Sequence, residues 1–241
     1  MFPSAQKDPR GGHNKSFINH TFFQTWSPSM AYILGFIFAD GAIEDVQKSS
    51  RTCYIQITSK DACILEKIKK AMNCDHKLYI RFPRKIIIKG KKHYITSYIF
   101  NLRVGNKLMY NDLLKLGVTP RKSLTAKFPK ISTIYLSYFL RGYFDGDGCL
   151  YLRQGKYPRL IFTSGSLRFL KSLDENITQK LSLPHGSINT SSKESQNPCY
   201  QLYYPNKSTQ KILKFMYQNL HKAPYLERKF SIYQKYLNQN H

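Results

Sequence analysis

The chain has 241 residues, with 38 Lys and Arg against 14 Asp and Glu, a formal net charge of +24. Hydrophobic residues at 41% and aromatics at 14% exclude a largely disordered chain, and the longest apolar run, Ala31 to Ala39, is far short of the roughly 20 residues that cross a bilayer. A surface this basic repels itself unless a polyanion meets it, so nucleic acid is the leading partner class and an anionic membrane the second.

Residues 1–25 are basic and rich in Asn and Gly, and read as an N-terminal extension. They hold His13 and His20, but no nearby Cys or His completes a zinc set. They contain no apolar signal core, and the five cysteines are odd in number without a C-x-x-C pair, so an intracellular, reduced protein is expected, in a bacterial cytoplasm or an organelle. A first helix starts near Pro28 with Ser27 as its cap. Cys53 to Thr58 alternates as a strand, with Cys53, Ile55 and Ile57 on the inner side. A helix over Asp61–Met72 carries Ile64, Leu65, Ile68, Ala71 and Met72 on one stripe, and Cys53 and Cys63 fall on apolar phases expected to be core. Strands follow near Lys77–Phe82 and Tyr94–Val104, then a helix over Lys107–Leu116 that stops at Gly117. A linker at 126–132 leads to the same order again. It runs as a helix near 133–146, strands near 149–152 and 159–164, a helix bearing Leu167, Leu170, Leu173, Ile177 and Leu181, strands near 187–190 and 200–204, and a helix near 208–220.

That order reflects an internal repeat. ILGFIFADG at 33–41 and LRGYFDGDG at 140–148 both end an apolar run in Gly-x-x-x-x-Asp-Gly, and Gly35 and Asp40 lie 107 residues before Gly142 and Asp147. Lys122 and Lys229 keep the same offset, and Thr58 and Thr163 differ from it by two. The chain thus divides into half-domains at 26–125 and 133–241, an α+β architecture of two αββαββα units. Each antiparallel sheet would keep one apolar face under its helices and leave a face rich in Tyr, Gln, Thr, Arg and Lys open.

On the two Gly-bearing helices, Ala31, Gly35 and Ala39 share one face, as do Gly142 and Gly146. Small residues at that spacing let two backbones approach, so the helices are expected to pack side by side. Asp40 and Asp147 then stand at equivalent ends, beside helix carbonyls that have no partner within the helix. Two carboxylates and carbonyls at negative helix termini make an oxygen-rich nest suited to a hard divalent cation. A single Asp-Gly reads as an ordinary turn; two matched copies in so basic a chain point to a site.

YILGFIFADG and FLRGYFDGDG resemble the paired motifs of the LAGLIDADG homing endonucleases, and the likeness extends over residues 26–235, including LGVTPRKSLT. Two motifs in one chain resemble the single-chain, pseudo-twofold branch. The resemblance implies that the motif helices, through Ala31, Gly35 and Gly142, join two half-domains whose sheets straddle DNA as saddles. It implies that Asp40 and Asp147, with the carbonyls of Ala39 and Gly146, bind Mg²⁺ or Mn²⁺ without an organic cofactor, and that Lys122 and Lys229 polarise the solvent at the scissile phosphates. The implied activity is a site-specific double-strand endonuclease leaving short 3′ overhangs, intron-encoded and monomeric, on a long non-palindromic target. Intron RNA is a second partner in view.

Phe38 stands where the first motif usually has an acidic residue, and Arg141 precedes the second motif's Gly. Ser59 and Ser164 either help order water or are ordinary strand-end serines, and Arg121 and Arg228 either bind phosphate or sit on the surface. Strand alternation proposes DNA contacts at Arg51, Tyr54, Gln56, Thr58, Arg81, Arg84, Lys85, Asn101 and Arg103 in the first saddle. In the second it proposes Tyr151, Arg153, Arg159, Ile161, Thr163, Asn189, Gln201 and Tyr203. The alternative is a non-cleaving nucleic-acid binder of the same fold, an RNA splicing maturase or a transcription regulator. A membrane-surface protein lacks the broad amphipathic basic helix it would need.

Overall fold

A computed structural model describes residues 16–44, 53–88, 92–190 and 198–239. Helix α1 (Pro28–Asp40) opens on the Ser27 side chain, which accepts the Met30 N–H, and Pro28 takes the first turn, where no donor is needed. Every residue from Met30 to Phe38 is buried, as befits a helix apolar on all sides and enclosed by protein. The first sheet is built from β1 (Gly41–Ile43), β2 (Tyr54–Ser59), β3 (Leu78–Arg81) and β6 (Ile99–Gly105), all antiparallel in the order β1-β2-β6-β3. Helix α2 (Ala62–Ala71) turns Ile64, Leu65 and Ile68 inward, and α3 (Lys107–Lys115) is capped by the Asn106 side chain.

The second half repeats the plan. Helix α4 (Leu136–Asp147) leads into β7 (Gly148–Arg153), β8 (Tyr157–Ser164), β9 (Ser187–Thr190) and β10 (Tyr200–Tyr203), in the matching order β7-β8-β10-β9. Helices α5 (Leu167–Leu181) and α6 (Asn206–Tyr217) cover its inner face. Buried Ile43, Ile55, Ile57, Leu102 and Val104 form the inner face of one sheet, and Leu150, Leu160, Phe162 and Leu202 that of the other. Both belong to one continuous hydrophobic core.

The two halves meet where α1 lies against α4. A side-chain carbon on Gly35 would stand 2.1 Å from the Phe139 carbonyl oxygen, and one on Gly142 would stand 1.9 Å from that of Tyr32. Backbone touches backbone at both points, so only a missing side chain allows the approach.

Several elements differ from the sequence reading. The single strand expected over Tyr94–Val104 is two strands: β6, and β5 (Lys92–Ile95), which pairs with β4 (Lys85–Ile88) as a separate two-stranded ribbon. Alternation continued through both, which hid the break. A helix absent from the reading, α7 (Glu227–Asn238), closes the second half, whereas the matching position in the first half holds one short turn at Lys122–Leu124. Within the expected extension, residues from Ser16 onward reach the first half-domain: Ile18 and Phe23 are buried, and the Asn19 N–H donates to the Met72 carbonyl. His13 and Arg51 lie outside the described residues. Cys63, expected in the core, is exposed, because it falls beside and not on the α2 stripe.

Candidate active site and nucleic-acid interface

Asp40 and Asp147 are the last residues of α1 and α4, and Gly41 and Gly148 end those helices by entering strands. The two ends converge. A side-chain carbon on Gly146 would lie 2.4 Å from the Ala39 Cβ and 3.5 Å from Asp40 Oδ2, which places the Asp40 carboxylate against the turn that carries Asp147. Solvent reaches Asp147 and partly reaches Asp40, yet both sit low between helix ends and sheets. Loss of hydration there raises both carboxyls above their ordinary range, Asp147 to about 6, with the Asp40 charge adding to the effect. Lys229 and Lys122 act against that rise at both acids, each more strongly on the acid of the other half: Lys229 at Asp40, Lys122 at Asp147.

Both lysines are buried, and each reaches a helix end. Lys122 donates to the Gly41 carbonyl at 2.7 Å. Lys229 donates to the carbonyls of Phe144, Asp145 and Gly148 at 2.5, 3.0 and 2.6 Å. The helix-end carbonyls expected to be open are therefore partly taken by the lysines, in place of solvent or a ligand. Burial lowers both ammonium groups, Lys229 to about 8. Between Lys122 and Asp147 lies a recess of about 60 Å³, lined also by Ala39, Ser123, Tyr143 and Ser164.

The residues flanking this centre make the halves unequal. Phe38 packs on Phe139 and Phe169, with ring centroids 5.7 and 5.8 Å apart. Its counterpart Asp145 is buried and accepts from the Tyr32 hydroxyl at 2.8 Å and the Leu226 N–H at 2.9 Å. Burial raises the Asp145 carboxyl to about 6. Arg141, fully buried, donates to the carbonyls of Met216 and Ala223, both at 3.1 Å, so it braces the second half and leaves the α1–α4 contact intact.

Two carboxylates at negative helix ends, raised in pKa by burial, form a set that a divalent cation fits. Asp40 and Asp147, with the carbonyls of Ala39 and Gly146, are the groups that would hold it. Among the described residues, no group of three or more His, Cys, Asp or Glu side chains is placed for a metal, so backbone and ligand oxygens would have to complete the coordination.

Strand register sorts the proposed nucleic-acid contacts. In the first sheet, Gln56 pairs with Arg103, Thr58 with Asn101, and Asn101 with Tyr79, so these residues share the outer face with Tyr54 and Arg81. Arg103 there is held by Glu44 at 2.6 Å and lies 3.8 Å over the Tyr54 ring. Thr58 donates to the Asp40 carbonyl at 3.1 Å, which ties the sheet to the acid. Arg84 precedes the separate ribbon and Lys85 begins it, and both are exposed. In the second sheet, Tyr151 pairs with Arg159, Gln201 with Thr163 and Asn189, and Arg153 with Tyr157. Tyr203 shares this outer face, opposite Ile161, but Ile161 is 8% exposed and has little surface for a ligand. Tyr79 at 63% and Tyr157 at 49% exposure were missed, although each is in phase with a predicted arginine two residues away. Ser59 accepts the Asp61 N–H and Ser164 accepts that of Ser166, so both serve strand-to-helix turns, while Ser164 also borders the recess. Arg228 pairs with Asp61 at 2.8 Å. Arg121 is exposed, with left-handed backbone, just before the Lys122 turn.

Residues 135–216 match the family of LAGLIDADG-like domains. That match lies within the second half-domain, and the whole chain has the two-domain LAGLIDADG fold. Among solved structures of that fold, the homing endonuclease I-DmoI, in complex with DNA and Ca, superposes with a TM-score of 0.55 at 17% identity, over 90% of this chain and 99% of that one. The homing endonuclease I-WcaI, bound to its DNA recognition sequence, gives 0.54 at 16% identity, over 87% and 88%. Full-length DUF199/WhiA from Thermatoga maritima gives 0.50 at 12% identity, over 92% and 65%. In sequence, the probable translation initiation factor IF-2 of Methanocaldococcus jannaschii is 29% identical over 220 residues, which is 84% of this chain. The chain spans only 16% of that relative's length.

Proposed function

We propose that the protein is a site-specific, divalent-metal-dependent endonuclease that cuts both strands of duplex DNA. The observation that carries this reading is the convergence of Asp40 and Asp147 at the floor between two basic, tyrosine-rich sheet faces. Two carboxylates set against a polyanion repel it, and they are useful there only if a cation lies between them and the phosphates. Asp40 and Asp147 would hold a divalent ion here, which would supply Lewis-acid charge beside the scissile phosphate.

The chain's own residues do the rest. The outer faces of the two sheets position the duplex, with Arg and Lys on phosphates and Gln, Asn, Tyr and some Arg on base edges. The halves differ at most of these positions, so the target is asymmetric, and one chain supplies both halves without a partner subunit. Cleavage on both strands leaves short 3′ overhangs, in keeping with the mobility of an intron-encoded gene inside the cell. The solved complexes of I-DmoI with DNA and Ca or Mn support Mg²⁺ or Mn²⁺ as the ion class.

Because the fold is shared with DUF199/WhiA, the fold alone does not choose between cutting and binding; the paired acids are what favour cutting. The test is cleavage of a randomised duplex library with Mg²⁺ and with EDTA. Sequence-specific double-strand cuts that need Mg²⁺ are expected. Specific retention of DNA or intron RNA with no cut would replace this reading by the regulator or the maturase.

A further inference from the structure

The two lysines are equivalent in sequence but unequal in place. An ammonium has three N–H donors and no acceptor. Lys229 uses all three, on the carbonyls of Phe144, Asp145 and Gly148. It is 3% exposed and lies 4.7 Å over the Phe144 ring. So enclosed, it has no donor to offer water or phosphate. Lys122 shares only the counterpart of the last bond, to Gly41. Among the described residues no other acceptor takes its remaining donors. It lines the recess of about 60 Å³ with Asp147, Ser123, Ser164 and Tyr143, which has room for water and polar walls to hold it.

The cause lies in the elements that carry the two side chains. Lys229 stands in the first turn of α7, whose start is fixed when the Leu226 N–H donates to Asp145. Lys122 stands on a short turn with no such tie, where Phe38 replaces the acid. The carbonyls of Ile37 and Phe38, counterparts of the two extra acceptors, are not reached by Lys122.

We infer that Lys122 acts on the reacting water at the Asp147 recess, whereas Lys229 caps the end of α4, and that the strand lying over that recess is cut first. This rests on the nuclease reading. A donor directed at developing charge accelerates a reaction by roughly 100- to 1,000-fold. At Asp40 the cations Lys229, Lys122, Lys60 and Arg228 act only through their field.

A supercoiled plasmid carrying the selected target, with each strand labelled, resolves the order. Wild type is expected to accumulate a circle nicked in one strand before linear product appears. Lys122→Met should slow that first nick about 100-fold and leave the metal-free Tm near wild type. Lys229→Met should lower Tm by several degrees, or prevent folding. Lys229→Gln, which keeps part of the cap, should fall between and preserve the strand order. Equal cutting of the two strands by wild type would overturn the inference, as would an equal slowing of both by Lys122→Met. So would unchanged Tm values in both Lys229 variants. A wild type that binds the target and cuts neither strand defeats the nuclease reading and the strand order together, while the melting series still reports separately on the cap.

Discussion

Two residues before each paired carboxylate stands Phe38 in the first half-domain and Asp145 in the second. Phe38 closes its half with ring contacts to Phe139 and Phe169. Asp145 closes its half with hydrogen bonds from Tyr32 and Leu226, next to the braces that Arg141 makes to Met216 and Ala223. The partners are themselves matched, since Tyr32 and Phe139 are counterparts in the repeat. One scaffold thus supports its acid-bearing helix ends by aromatic packing on one side and by a buried polar network on the other. Aromatic packing is local. The polar network recruits the C-terminal segment, and through it α7 and Lys229. The comparison teaches that a pseudo-twofold fold can keep its acids symmetric while their supports diverge.

The largest effect should come from the one feature both halves share equally, the α1–α4 contact. Gly35→Ala or Gly142→Ala drives a methyl onto a backbone carbonyl that cannot swing away, and each should cost at least about 3 kcal/mol. Chemical denaturation would measure it, and near-equal losses are expected from the two sites.

Next comes the divergent pair. Phe38→Asp gives up both ring contacts and puts a carboxyl among aromatic side chains, and should destabilise by about 3–5 kcal/mol. Asp145→Asn keeps the shape and one acceptor, and should cost about 1–3 kcal/mol. If the order of those two losses were reversed, the contrast drawn between the halves would be wrong.

A third effect concerns pH. The Asp147 carboxyl is raised from 3.8 to about 6 in the folded protein, so it binds its proton more tightly folded than unfolded. Its ionisation therefore removes stability as pH rises from about 4 through 6. Metal-free Asp147→Asn should melt above wild type at pH 7, and the gap should close toward pH 4. A gap that widened on acidification would contradict the assigned cause. By the same linkage, Mn²⁺ affinity should weaken below about pH 6, as the ion must displace a proton.

The smallest effect lies on the open sheet face. Glu44 holds Arg103, a partly exposed pair of the kind that contributes about 0–1 kcal/mol. Glu44→Gln should tighten DNA binding up to about fivefold by releasing Arg103 and removing a negative charge; weaker binding would show that Arg103 is needed where Glu44 places it.

Much of this fold and site is legible along the chain itself. The repeat, the paired acids, the glycine contact and the outward side chains of both sheets all rest on short spacings, of two, four or 107 residues, that are visible along the chain. What was not legible depended on where distant segments dock. No local pattern sends Lys229 to three carbonyls around the end of α4, or Arg141 to the carbonyls of Met216 and Ala223. The ribbon was hidden because alternation runs through its break, and Ile161 keeps the outward phase while its surroundings cover it.

The most direct test of the central claim compares wild type with Asp40→Asn/Asp147→Asn on the same target, with cleavage and binding measured side by side in Mg²⁺. The double variant is expected to lose cleavage by at least about 1,000-fold while retaining specific binding, because the outer sheet faces proposed to hold the duplex are untouched. Cleavage that survived the loss of both carboxylates would contradict the assignment of this centre.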